Sequence, residues 1–566
     1  MMTSNLPGFV LLILIMAVPL ALLASVVLLS LYRRAVLRAM RTRAHVETSE
    51  TLAAERSPSI HEPAQTQLDI VVVDSVSTLQ KSSTTDGLYA ELIRGPWRAA
   101  VIYAFAGLCY ALVTTIIFLI ATKSGFHLLG FLITFWYYAW PVVVTICLVA
   151  AATWRTRLII FAIYFFTIVV LGALAVVGNS SSNWMEILLL WFLTNFPAAL
   201  LLLLFINGRF QAVGPLVLTF MILAVTGSVL LPRIAANDLT LLRWIAHLGV
   251  SVGLGGFGIF IGLTLLGFIL FGAIGWLVLQ GIGKWYQQKK ISAHSITMDA
   301  VWLLFGIFQS IGLIFEGERW FLISLLAFAV YKVISWVGFS FLRNRFPTPQ
   351  QKLNLLMLRV FSLGKRSERL FEVLAMYWRY IGNIRLIAGP DLATTTMEPH
   401  EFLEFLSGKL ARQFIDTAQT LDLRISKMDL APDYDGQYRV NDFFCHDDTW
   451  RMVLSRLVGE SDVVLMDVRG FSSRNAGCIF EITELINVMP SGKVLFIIDG
   501  TTDEPFLRQT IQQSWDRMKS TSPNHLSKSG LLRMFRLDSL HDRELQQILQ
   551  VLSLTATTTP NTLALT

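Results

Sequence analysis

Near Phe346 the chain changes character. Before it, apolar runs long enough to cross a bilayer follow one another almost back to back; after it, short apolar runs alternate with amphipathic, charged stretches. A helix that is apolar all round for about 20 residues belongs in hydrocarbon. The expected fold is therefore an α-helical polytopic membrane domain followed by a C-terminal α/β domain with a doubly wound parallel sheet. Composition agrees: of 566 residues, 54% are hydrophobic and only 15% charged, against about 25% charged in soluble domains. The formal charge of +7 sits largely in short loops beside the apolar runs. There it reads as a topology signal, so the bilayer is the expected partner and nucleic acid is not.

The first run, Leu6 to Leu31, is followed by Tyr32-Arg33-Arg34 and then Arg38, Arg41 and Arg43. It is too long for the apolar region of a cleaved leader, and no small-x-small site follows. Residues 1–41 read as a signal-anchor transmembrane helix with its N-terminus outside. Residues 42–98, rich in Ser, Thr, Glu and Gln, read as a flexible cytoplasmic linker. One β-like run inside it, Leu68-Asp-Ile-Val-Val-Val-Asp74, is able to add a strand to another sheet.

Further runs near 99–121, 128–152, 158–177, 185–206, 214–231, 250–282, 298–315 and 320–341 bring the total to about nine helices, within a membrane domain over 99–346. Alternate loops carry Arg155 and Arg157, then Arg209, then Lys284, Lys289 and Lys290, then Arg343 and Arg345. The intervening loops are nearly uncharged or mixed. This positive-inside pattern places the C-terminal domain in the cytoplasm and the chain in the inner (cytoplasmic) membrane. Within the runs, Lys332 is the one clear mid-run charge. An intramembrane lysine is a functional-site hypothesis; the alternative is a side chain that snorkels or packs at a protein interface. Asp299 is its partner if the two helices are offset. Gly249/Gly253 and Gly258/Gly262 have the spacing that lets helices approach closely.

After Pro347 the pattern is strand, then helix, repeated to about residue 555. Val463-Val-Leu-Met-Asp467 is the clearest buried strand, Leu421 to Ile425 is read as another, and 416–445 is otherwise irregular; residues 556–566 are expected to be a disordered tail. Ligands in parallel sheets bind outside the carboxyl ends of the strands. The candidate binding residues are therefore those that follow strands: Gly364, Lys365 and Arg366, then Gly389, then Asp467, Arg469 and Phe471, then Asp499. Gly364 with its two cations precedes a helix, where backbone amides favour a phosphate. Glu481 stands in the first turn of the helix after the central strand, as a capping acid or a chemical group. The four cysteines and nine histidines show no zinc-like spacing, so no metal is expected.

Ser461-Asp-Val-Val-Leu-Met-Asp467, a loop, and Gly477-Cys478-x-x-Glu481 resemble the central strand, loop and third helix of TIR domains. Those often carry Trp-Cys-x-x-Glu, whose glutamate is catalytic in the members that cleave NAD. With Ile384-Arg-Leu-Ile-Ala-Gly389-Pro390, the same region is similar to nucleoside 2-deoxyribosyltransferases, where Gly-Thr-x-x-Glu supplies the nucleophile. Gly477 stands where TIR domains usually have Trp, and Thr483 where deoxyribosyltransferases tend to have Gly. The resemblance implies a flavodoxin-like domain over 347–555 and cleavage of an N-glycosidic bond at a sugar C1′. Glu481 would act at the reacting centre, Asp467 or Arg469 on ribose or phosphate, and Trp450 and Phe471 on a base. NAD or a nucleotide is then the substrate or ligand, with no resident cofactor. Self-association through TIR-like or transmembrane contacts, and a role in signalling or defence, are implied too. The competing expectation is a non-enzymatic interaction or ligand-sensing module that controls a membrane pore or anchor.

Overall fold

A computed structural model describes residues 6–41, 67–73, 83–178 apart from 124 and 152, scattered helical positions within 185–210, 212–345 apart from 315, 352–389 apart from 361–363, and 397–558 apart from 526–528. Packing divides the chain into two units. Unit 1 comprises Met1–Tyr32, Ala99–Asn344 and Met397–Ser407; unit 2 comprises Arg33–Arg98, Arg345–Thr396 and Gly408–Thr566.

Unit 1 is helical. Its helices are α1 (Leu6–Arg41) and α2 (Ser83–Ala121), each shared with unit 2, then α3 (Leu128–Tyr138), α4 (Trp140–Val149), α5 (Trp154–Gly178), α6 (Gly214–Asn237), α7 (Leu239–Ser251), α8 (Gly256–Gln287), α9 (Ala293–Ile314) and α10 (Glu318–Arg345). Seven spans among the described residues are long and apolar enough to cross a membrane. One of them, Leu128–Val149, comprises α3 and α4, which meet at Ala139. Pro141 enters at the first turn of α4, where its missing N–H costs nothing. The expected run 185–206 falls mostly outside the described residues, and α9 is not among the seven spans.

Local devices fix two helix starts and one helix crossing in this unit. Asp238 caps α7 by accepting from the amides of Thr240 and Leu241 at 2.9 and 3.2 Å. That cap separates α7 from α6, while α7 ends at Ser251 and α8 begins at Gly256, with Gly253 at φ +78° between them. Helices α6 and α8 cross at Gly227 and Gly267, where a Cβ on Gly267 would lie 2.2 Å from the Gly227 carbonyl oxygen. Only glycine at both positions allows that approach. At α9, Ser292 and Ser295 bond reciprocally through side chain and amide, both at 3.0 Å, as a capping pair.

Unit 2 is built on one all-parallel sheet of eight strands: β1 (Gln67–Val73), β2 (Leu353–Arg359), β3 (Gly382–Ile387), β4 (Phe414–Ile415), β5 (Val440–Cys445), β6 (Val463–Asp467), β7 (Val494–Ile498) and β8 (Ser529–Arg536). Its order is β1-β8-β7-β6-β2-β3-β5-β4. Strands β2, β3, β6 and β7 are buried on both faces, as strands covered on two sides must be, and β3 carries buried Asn383 and Arg385 on one of them. One face packs Leu356, Leu358, Val464, Met466 and Phe496 against α14 (Trp450–Gly459), α15 (Ala476–Val488) and α16 (Glu504–Asp516). The alternate residues, Leu355, Met357 and Leu465, point the other way and are equally buried. α11 (Lys365–Trp378) and α17 (Asp542–Thr557) complete the central connections.

Two sequence expectations change here. The stretch read as a flexible linker supplies edge strand β1, in register with β8 from Gln67↔Ser529 to Val73↔Phe535, and the first turns of α2. A Cβ on Gly95 in α2 would lie 2.5 Å from Tyr380 Cβ, so this stretch is packed. Residues 42–66 and 74–82 lie outside the described residues, as does 559–566 of the expected tail. The segment read as a strand, Leu421 to Ile425, lies in α13 (Ala418–Ser426), which Thr417 and Thr420 start with a capping box. Between β3 and β4 the chain also forms α12 (Pro399–Leu406), which belongs to unit 1. There Phe405 meets Tyr32 edge-on at 5.2 Å and His400 stacks on Tyr286 at 5.8 Å.

Candidate functional site

From β2 the chain moves outward through β3 to β5 and β4, then returns to β6 on the other side of β2. Parallel sheets place ligands outside the carboxyl ends of the strands at such a reversal. The register Arg359↔Asp467 sets the last residues of β2 and β6 side by side.

At that edge Asp467 is fully buried and both its oxygens are used. Oδ1 accepts from Arg469 Nε at 2.8 Å, and Oδ2 from Arg469 Nη2 at 2.8 Å and Ser367 Oγ at 3.0 Å. Arg469 Nη2 also donates to the Arg366 carbonyl at 3.2 Å. Asp499 is engaged as well: Oδ2 accepts from Arg366 Nη1 at 3.2 Å, while Oδ1 accepts from the Thr501 amide at 2.9 Å. The cluster ties the ends of β6 and β7 to the start of α11. It corrects the expectation that Asp467 or Arg469 is free to hold ribose or phosphate, since each is committed to the other.

Gly364 has φ +51°, a left-handed conformation that favours glycine, and it launches α11. Lys365 and Arg366 are exposed there, so amides and two cations face outward from one helix start. Gly389 is buried just beyond β3; the loops 361–363 and 390–396, including Pro390 and Asp391, lie outside the described residues.

Glu481 sits on the sheet-facing side of α15, 3% exposed, and its Oε2 has no hydrogen-bond partner among the described residues. Burial pushes its carboxyl up to about 8, against the opposing pull of the Arg359 charge. At neutral pH it is mostly an uncharged acid. Its helix neighbour Cys478 is buried too, and burial together with the Glu481 charge pushes that thiol up, away from nucleophilic use. Because α15 packs with Met466 and Asp467 points to the opposite face, Glu481 and the Asp467 cluster flank the sheet. A ligand reaches both only over the strand ends. Phe471 is fully buried and stacks on Phe506 at 5.7 Å, which corrects its expected place against a base. Trp450 is half-buried, edge-on to Phe480 at 5.5 Å, with the Arg451 guanidinium 5.2 Å from both rings.

In unit 1, Lys332 Nζ donates to Asp299 Oδ2 at 2.7 Å, so α9 and α10 have the offset that the pairing required. A lone charge at a membrane-helix centre costs about 2.5–3.5 kcal/mol; pairing is the expected remedy. Arg359 and Ser367 were not anticipated as part of the site. Arg359 is legible as the first charge after the apolar Leu355-Leu-Met-Leu358, whereas nothing in the local sequence marks Ser367. No protein-family model, curated protein or solved structure matches this chain.

Proposed function

We propose that this is a multi-pass membrane protein whose α/β unit takes NAD or a related nucleotide at the carboxyl edge of β2 and β6 and breaks its N-glycosidic bond. The observation that carries this reading is Glu481, a buried carboxyl with an unpartnered oxygen in the helix after β6. An unsatisfied buried polar group costs about 1–3 kcal/mol, and a function is one reason to retain it. A nicotinamide nucleotide brings a positive charge to its own glycosidic centre. That charge favours loss of the Glu481 proton to water. The carboxylate then stabilises the oxocarbenium-like centre as the C1′–N bond breaks and nicotinamide leaves with the bonding pair. Water adds to C1′ and gives up a proton to complete the hydrolysis. The exposed start of α11, with Lys365 and Arg366, suits the phosphates. Asp467, Arg469 and Asp499 hold the walls. The likeness to TIR domains and deoxyribosyltransferases supports the same chemistry, and the loop charges support a cytoplasmic α/β unit.

The test is nicotinamide release from NAD by the full chain in lipid nanodiscs, beside Glu481→Gln. Release that disappears in the variant supports the reading; equal turnover removes Glu481 from the chemistry. A second reading, ligand sensing without turnover, is favoured by α1 and α2. Each has residues assigned to both units. A nucleotide that raises the melting temperature and is recovered intact decides for it.

A further inference from the structure

We propose that unit 1 holds a proton path along one face of α9. Polar side chains occur from Ser292 to Ser310, 18 positions apart (310 − 292). That is ~27 Å of helix, close to the ~30 Å thickness of hydrocarbon. Asp299, Trp302, Gly306, Gln309 and Ser310 recur at helical spacing and share a face.

The contacts along that face are continuous. Asp299 pairs with Lys332 at 2.7 Å. One turn on, Trp302 is fully buried, stacked on Tyr331 and edge-on to Tyr110, each at 5.0 Å. Tyr110 Oη donates to Gln309 Oε1 at 3.1 Å, and Gln309 Nε2 donates to Asn195 Oδ1 at 3.2 Å. Gly306 leaves room for the tyrosine hydroxyl, since a Cβ there would lie 3.3 Å from it. Beside it the Ser310 and Ser324 hydroxyls bond at 2.5 Å. Among the described residues, the titratable groups near this layer also include Tyr138, which interacts with Tyr110, and Tyr103 and His294, whose rings stack at 6.2 Å.

Two fully buried donors on this chain, Trp302 Nε1 and Asn195 Nδ2, have no partner among the described residues. Inside a bilayer such donors are costly, and water is the ligand that satisfies them. Water at both positions links the ion pair to the amide and hydroxyl chain. The permeant is the proton because the two charges on the path cancel and attract no inorganic ion. A proton from water on one side converts the Asp299 carboxylate to the acid and releases Lys332; loss of that proton to water on the other side restores the pair.

The full chain in liposomes with a trapped pH dye tests this under a potassium diffusion potential. Wild-type protein should acidify the lumen, and Asp299→Asn or Lys332→Ala should change that rate. The charge exchange Asp299→Lys with Lys332→Asp controls for folding. A second readout needs no flux. In a Cys109→Ser, Cys147→Ser background, Gln309→Cys should react with a water-soluble thiol reagent, and lipid-facing Val333→Cys, 61% exposed, should not. An unreactive thiol at 309 in folded protein, or flux indifferent to both substitutions, overturns the path.

Discussion

The Arg469 guanidinium holds the Asp467 carboxylate in a two-pronged fork, Nε to Oδ1 and Nη2 to Oδ2, both 2.8 Å. The two residues are 5% and 0% exposed. A buried pair broken from one side strands the remaining charge, typically at about 3–5 kcal/mol. Asp467→Asn should therefore lower the thermal midpoint of the detergent-solubilised protein sharply, and Arg469→Ala likewise. Changing both should cost less than the sum of the two, because the second change removes the stranded charge. A double-mutant cycle by denaturant titration measures this, and additive losses would show that the pair does not couple.

Glu481 makes a prediction with a definite pH window. Its folded carboxyl titrates at about 8 against an ordinary 4.5. Below 4.5 both folded and unfolded states hold the proton and burial carries no ionisation penalty. Between 4.5 and about 8 the unfolded chain gives up a proton that the folded chain retains, so stability falls as pH rises. Glu481→Gln removes that dependence. The variant should match wild type near pH 4 and gain stability with pH, by roughly a few kcal/mol at full extent, levelling off above 8. Melting curves of both proteins across this range decide it; parallel curves would mean that Glu481 is not held protonated by burial.

These contacts show where the sequence was legible. Apolar length announces helices such as α5 and α8 by itself, because the bilayer imposes one requirement on every span. Strand β6 was readable because it is short and apolar from Val463 to Met466, ending at the charge of Asp467. The segment over Leu421–Ile425 was misread because Leu-Asp-Leu-Arg-Ile alternates like a strand. Its fate was decided instead by the Thr417–Thr420 capping box, which satisfies the first amides of a helix. The commitment of Asp467 to Arg469 was hidden for a different reason. Residues two apart on a strand end look like two ligands facing one crevice, and only the bend of the chain after β6 brings them together.

The crossing of α6 and α8 depends on glycine at Gly267, where a Cβ would meet the Gly227 carbonyl oxygen at 2.2 Å. Backbone cannot yield as a side-chain tip can. Gly267→Ala should force the helices apart and forfeit packing along the whole contact, a loss of about 1–3 kcal/mol for an overpacked site. Gly262→Ala on the same helix meets nothing within 4 Å and serves as the control. Unfolding in graded sodium dodecyl sulfate should separate the two variants.

Strand β1 protects the edge of β8. Ile70 and Val72 pack against the main core of unit 2, and removing that anchor leaves β8 with unpaired backbone groups. Ile70→Asp with Val72→Asp should detach β1, speed hydrogen exchange in β8 from Leu531 to Phe535, and promote association through the bared edge. Exchange in β8 that stays at the wild-type rate would mean that β1 adds nothing to its protection.

The C-terminal end of α1 is secured by His446 and Asp447, the two residues just after β5. His446 Nδ1 lies 2.9 Å from the Ala39 carbonyl oxygen, its Nε2 lies 2.8 Å from Asp416 Oδ1, and the Asp447 amide donates to the Met40 carbonyl at 3.1 Å. The last carbonyls of a helix have no partners within it, so these two contacts close the end of α1. His446→Ala removes the ring and leaves the Ala39 carbonyl open, while the Asp447 amide bond remains. The expected cost is about 1 kcal/mol, that of one hydrogen bond. Exchange should accelerate over Arg38 to Arg41 and stay unchanged in the middle of α1. Asp416→Asn keeps an acceptor for the ring and should show a smaller effect in the same place. If the two variants accelerate exchange equally, the carboxylate rather than the ring contact to Ala39 secures this end of the helix.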